Sequence, residues 1–254
     1  MTYFTPEHHQ ACRPVTGSGV YPARAEALGR LVHLQQRLAN RLRVANFDLH
    51  PFHAGPIVGS VSDRQAHALS VQFMRAVGPA LTVERLMGRE GIASVQQIVV
   101  QHHPSLELRL QPDHFVVELI VPSEAWWDQQ NISGKLRVQR QRLAFFSLLQ
   151  SLDADFCLGF WQGAHLSELH LEVRHLQKTD ILHEWLSTFE PSKDHFRLGR
   201  WYGVATLPEA TIEAEVLRAA RGLYAVYEAI LWTSENNYRE AHLQAISQLS
   251  PDKD

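Results

Sequence analysis

The sequence predicts an α+β protein, an antiparallel sheet built from hairpins and packed against helices, with a helical N-terminal part. Three observations predict it. Leu106, Leu108 and Leu110 alternate with Glu107 and Arg109, and after Gln-Pro-Asp-His a second period-two run follows at Phe115, Val117, Leu119 and Val121. Two long segments, at the N-terminal and C-terminal ends, instead repeat their apolar residues at three and four. Finally, the hairpins are separated by single helical stretches, whereas a doubly wound parallel sheet would alternate strand and helix strictly.

In chain order, residues 1–21 read as a flexible segment, with a Thr-Gly-Ser-Gly stretch and no basic region leading into an apolar run, so they do not resemble a signal peptide. Pro22 to Ala45 is an amphipathic helix through Ala27, Leu31, Leu34, Leu38 and Leu42. Asn46 to Gly59 is a loop rich in proline and glycine, and Ser62 or Asp63 caps an expected second helix through Ala66, Leu69, Phe73 and Val77. A short helix at Thr82 to Met87 precedes the first hairpin, to which Val95 to Gln101 adds an expected third strand. Gly134 to Leu152 reads as a helix, Phe156 to Trp161 with Leu166 to Val173 as a second hairpin, and Thr179 to Phe189 as a short helix. His195 to Tyr202 is a strand, Pro208 to Trp232 a long helix, and the polar tail after Asn237 is expected to fray. Residues 22–254 are expected to form one domain, with a helical subdomain at 22–90 and a sheet-and-helix subdomain at 91–254.

Composition bounds the function. The 254 residues are 45% hydrophobic and 20% charged, an ordinary globular balance that argues against disorder. No apolar stretch approaches the roughly 20 residues of a membrane helix. Two cysteines, Cys12 and Cys157, supply neither a disulfide framework nor a four-thiolate zinc site, which points to the cytoplasm. Charge is graded along the chain, with 8 basic and 4 acidic groups in residues 1–80, 7 and 7 in 81–150, and 9 and 16 in 151–254. That gradient can orient a polyanion, although ordinary variation of surface charge produces the same count.

Complete catalytic motifs are missing. Gly17-Ser-Gly19 carries Pro22 where a dinucleotide loop needs its third glycine, and there is no Walker loop, nucleophile elbow or His-Glu-x-x-His helix. His170-Leu-Glu172 lacks the Pro-Cys-x-x-Cys partner of a zinc deaminase. Pro112-Asp113 with Glu118-x-Ile120 has isoleucine where a metal-dependent nuclease needs lysine, and Pro-Asp is a common turn pair.

Three constellations carry chemistry. Glu168, His170 and Glu172 would share one strand face and could hold Mn, Fe or Zn if another element completed the site. Asp48, His50 and His53 place a carboxylate and two imidazoles in six residues around Pro51. The third is basic and aromatic: Trp126 and Trp127 precede Lys135, Arg137, Arg140 and Arg142, and Arg30, His33, Arg37 and Arg41 form a ridge along the first helix. Indoles stack on bases and guanidinium groups hold phosphate, so this set points to nucleic acid. The leading expectation is a non-catalytic cytoplasmic protein without cofactor that binds a protein or nucleic acid and no membrane, with Arg30, Arg37, Arg41, Trp126, Trp127, Lys135, Arg137, Arg140 and Arg142 at the interface. The alternative is a metal-dependent hydrolase built on the His, Asp and Glu residues.

Overall fold

The computed structural model describes residues 1–13, 22–52 and 55–240. Its elements are α1 (Pro6–Gln10), α2 (Pro22–Val44), β1 (His50–Pro51), β2 (Ile57–Val58), β3 (Leu69–Met74), α3 (Val77–Leu86), β4 (Ser105–Leu110), β5 (His114–Val121), α4 (Trp126–Arg137), α5 (Gln139–Gln150), β6 (Cys157–Phe160), β7 (Leu171–Glu172), α6 (Thr179–Leu186), β8 (Phe196–Gly203) and α7 (Ile212–Ile230). The strands make an antiparallel sheet in the order β1-β3-β4-β5-β8-β6-β7, with β2 also on β3.

The central hairpin follows the predicted pattern, pairing Leu106 with Leu119, Leu108 with Val117 and Leu110 with Phe115. On this face the strands contribute Leu69, Val71, Phe73, Phe196 and Leu198 as well, and α2 and α7 cover them with Leu31, Leu34, Leu38, Val216, Leu223 and Tyr227. A second, smaller apolar cluster of Phe52, Val61, Met74, Ala80, Ile98 and Val100 sits apart from this core. Every residue of β3 and β4 is buried on both faces, including Gln72, Glu107 and Arg109.

Several local expectations are corrected. The segment after Asp63 is a turn followed by β3, because Leu69, Val71 and Phe73 alternate toward the helices while Ser70 and Gln72 face the other way. Val95 to Gln101 forms two 3-10 turns instead of a third strand, since the Gln97 side chain accepts from the backbone N–H of Ala93 and Ser94 and curls the chain. The helix expected at 134–152 starts earlier and breaks at Val138, whose backbone is extended at φ −81° and ψ 118°. The second hairpin shrinks to a pairing of Cys157 and Leu158 with Glu172 and Leu171, because the chain turns at 167–170, where His170 N–H donates to Ser167 O.

The N-terminal residues expected to be flexible are docked as far as they are described. Tyr3, Phe4 and Cys12 join the main core, and Phe4 lies 5.1 Å from the Phe115 ring. Burying two aromatic rings supplies the driving force for that docking. The 22–90 segment is not wholly helical, for it contributes β3 to the sheet. The end of α7 is tied to α4 by Asp128, which accepts from Arg75 at 2.5 Å and from the Trp232 N–H at 2.7 Å.

Candidate functional site

The nine predicted interface residues fall into different surroundings. Arg30 donates to Glu26 and to the Tyr3 carbonyl, and Arg37 pairs with Glu213. Arg37 and Arg41 line a groove of about 460 Å³ between α2 and α7, with Leu34, Leu38, Val216 and Glu209. Arg137 and Arg142 line a separate cleft of about 240 Å³ with His183 and Phe189 of the α6 region. Arg140 is exposed at the start of α5. Lys135 is turned inward, its ammonium donating to the Ala229 carbonyl at 2.9 Å and to the Asn236 side chain; burial lowers its pKa to about 8. Trp126 is half exposed, while Trp127 packs between it and Trp232, with both ring centroids 4.9 Å away. Two clefts and one internal lysine thus divide the set.

The metal constellations do not converge. His50 pairs with Asp48 at 2.8 Å on the surface, and His53 lies outside the described residues. Glu172 pairs with Arg174, and the His170 ring contacts the Ser167 carbonyl at 2.6 Å. Among the described residues no group of three His, Cys, Asp or Glu is placed to hold a metal ion.

The most site-like arrangement lies elsewhere, on the sheet face turned away from α2 and α7. Glu107 of β4 stands opposite Glu118 of β5, a like-charge pair that is unfavourable on its own. Arg109 lies two residues along from Glu107 on β4, opposite Val116, and Arg197 of β8 faces Ile120, so the two guanidinium groups flank Glu118 diagonally. All four side chains are fully buried. Arg109 Nη1 donates to Glu107 and, at 2.7 Å, to Glu118. Burial alone would lower the Arg109 pKa, but Glu118 and Glu107 outweigh it and raise it. At Arg197 burial prevails, since Glu118 is partly offset by repulsion from Arg109, and the pKa falls to about 10.

Two loops close over this quartet. In the first, after Gly59 at φ +110°, the Ser60 hydroxyl and Val61 N–H each donate to Glu107 at 2.8 Å. In the second, Gly163 at φ +79° turns its carbonyl to Arg197 at 2.5 Å, and the Ala164 carbonyl accepts from Arg109 at 2.9 Å and from Gln111 at 3.0 Å. The Ser62 hydroxyl accepts from Arg197 at 2.5 Å and joins the loops by donating to Gly163 O at 3.4 Å. A side chain at Gly59 would meet the Arg64 carbonyl at 2.6 Å, so the first turn requires glycine.

Satisfaction inside the quartet is incomplete. Glu118 Oε1, Arg109 Nε and Arg197 Nε have no hydrogen-bond partner, although Arg197 Nε is 3.3 Å from Glu118 Oε1. Neither thiol is poised for nucleophilic chemistry: burial pushes Cys157 up to about 11 and Cys12 up to about 12.

Sequence reasoning missed this site because strict alternation assigns Glu107, Arg109 and Glu118 to solvent. The loops that cover them arrive from about 45 residues upstream and 45 downstream in the chain, and only Gly59-Ser-Val-Ser and Gln-Gly-Ala mark their turns. No protein-family model matches the chain, and no curated protein matches its sequence.

Proposed function

We propose that the protein binds a small molecule carrying an oxoanion, a carboxylate or a phosphate, on Arg109 and Arg197 beneath the two-loop cover. One observation carries the reading: the oxygens of Ser62, Gly163 and Ala164 converge on the two buried guanidinium groups, as the oxygens of a carboxylate or phosphate would. Guanidinium groups hold oxoanions in two-pronged, charge-assisted pairs, stronger than their hydrogen bonds to neutral carbonyls and hydroxyls. The cover oxygens stand where the oxygens of an oxoanion would bind, and each loop turns through a glycine at positive φ. Four buried charges are also a poor device for stability, since similar apolar residues often do as well or better.

The test is calorimetric titration of inorganic phosphate and of acetate into the whole chain, repeated with Ser62→Ala, Arg197→Met and a surface control, Arg37→Met. The expected result is saturable binding of at least one anion at one site per chain. It is tightened by Ser62→Ala, which removes a competitor for Arg197, lost in folded Arg197→Met, and kept in Arg37→Met. Weakening by Ser62→Ala, or loss in the Arg37→Met control, would overturn the proposal. Ser62→Ala keeps it testable should the arginine variant not fold.

A second reading, binding of a protein or nucleic acid, is favoured by the exposed Trp126 and by Arg37 and Arg41 in the α2–α7 groove. The two buried free cysteines support a reducing, cytoplasmic setting for either activity. No helix among the described residues is long and apolar enough to cross a membrane.

A further inference from the structure

We infer that the C-terminal tail, residues 241–254, docks on the chain's own cleft between α4, α5 and α6, as a helix that begins at Tyr238. The start of that helix is set by Asn237. Its side-chain oxygen accepts from the backbone N–H groups of Arg239 and Glu240, both at 3.1 Å, which is how an N-cap satisfies the first donors of a helix. Residues 238–240 are helical. Beyond them Ala241, Ala245, Ile246 and Leu249 recur with Tyr238 at helical spacing, no glycine or proline intervenes, and Pro251 ends the pattern.

The described contacts fix the path toward the cleft. Asn236 is held by the Lys135 ammonium, and two residues later Tyr238 lies on Gly134, where a Cβ would sit 2.4 Å from the tyrosine Cβ. The chain thus passes round α4 from the Lys135 side to the Gly134 side. At about 100° per residue, Arg137 lies about 60° and Ser133 about 100° further round in the same sense. Both border the cleft of about 240 Å³, whose apolar lining is Ile132, Leu136, Leu186 and Phe189. A helix over 238–249 is about 18 Å long, more than the roughly 10 Å breadth of α4, so its apolar stripe reaches that lining. Charge favours the same occupant. Arg137 is exposed and Arg142 donates to the Leu136 carbonyl at 3.2 Å, and neither pairs with a carboxylate among the described residues. Asp252 and Asp254, just past the proline, bring carboxylates to this cationic rim, with Lys253 between them.

Hydrogen exchange of the whole chain tests the docking, with β5 as internal reference. Amides of 241–249 are expected to exchange at least tenfold more slowly than in a free peptide of the same sequence, which is too short to hold a helix alone. Ile246→Asp with Leu249→Asp is expected to abolish that protection and to speed exchange at 183–189 at least fivefold, with β5 unchanged. Arg137→Glu is expected to act in the same direction more weakly, and adding Asp252→Lys and Asp254→Lys to restore the native pattern. Should the apolar variant loosen β5 as well, the charge swap, which removes no apolar group, decides. Free-peptide rates at 241–249 in the native chain, exchange at 183–189 unmoved by the tail substitutions, or no rescue by the swap would overturn the inference. Protection that rises with protein concentration would also overturn it, by assigning the cleft to the tail of a second copy.

Discussion

Replacing Arg197 by methionine keeps the length of the buried side chain and removes its charge. Three things are lost at once: the donors to the Gly163 carbonyl and the Ser62 hydroxyl, and the cation beside Glu118. Breaking a buried ion pair by removing one partner typically costs about 3–5 kcal/mol. Each hydrogen bond to a charged group is worth about 1.5–3 kcal/mol, but these contributions overlap and do not add. The loop oxygens can turn to water, so a loss of about 4 kcal/mol is expected, dominated by the stranded Glu118. At about 2–4 °C per kcal/mol for a chain of this size, the melting temperature should fall by about 8–16 °C. Adding Glu118→Gln should recover part of that loss by removing the uncompensated carboxylate. Urea unfolding followed by tryptophan fluorescence reads both variants, with Trp161 reporting next to the altered site. A loss below about 1 kcal/mol, within the range of ordinary surface changes, or strict additivity in the double variant, would refute the account of a coupled quartet.

Val117→Asp puts a carboxylate on the helix-covered face between Leu108 and Arg200, whose guanidinium is already engaged by Asp153, Asp155 and Glu215, and should cost several kcal/mol in thermal unfolding. Glu84 is buried; burial would raise its carboxyl, but His103, the Val99 N–H, His102 and Arg89 together hold it down to about 2. A depressed carboxyl contributes stability that is present above its unfolded value of 4.5 and is lost as pH falls toward 2, so Glu84→Gln should flatten the acid limb of the melting-temperature profile. Lys135 gives the same sign of pH dependence at the other end of the scale, because burial disfavours its ammonium. With its folded pKa lowered from 10.5 to about 8, the unfolded chain binds the extra proton between those values, and stability rises with pH across that window. The native chain should gain in melting temperature relative to Lys135→Met between pH 8 and 10.5.

The elements legible in the sequence were those whose period was reinforced by burial on one side. The alternation of 106–110 and 115–121 marked both strands and the residues they turn toward the helices, and the three-and-four spacing of α2 and α7 marked both helices. Where two periods compete the sequence is ambiguous: Leu69 and Phe73 are four apart and equally two-periodic through Val71, and sheet pairing with β4 decides for the strand. Lys135 looked like a surface cation because charge is normally solvated, yet α7 ends where its ammonium can reach the Ala229 carbonyl. The quartet was invisible for a related reason. Polar residues on alternate strand positions read as a wet face, and only long-range contacts with residues 59–64 and 161–164 turn that face into an interior.

The central claim is that this cover opens, and native-state hydrogen exchange of residues 59–64 and 161–166, read against β5, tests it most directly. The account predicts that these amides exchange through a local opening of lower free energy than that of β5, and that an oxoanion which binds alters exchange there while leaving β5 unchanged. Exchange of both loops only through the same global unfolding as β5, with or without anion, would contradict it.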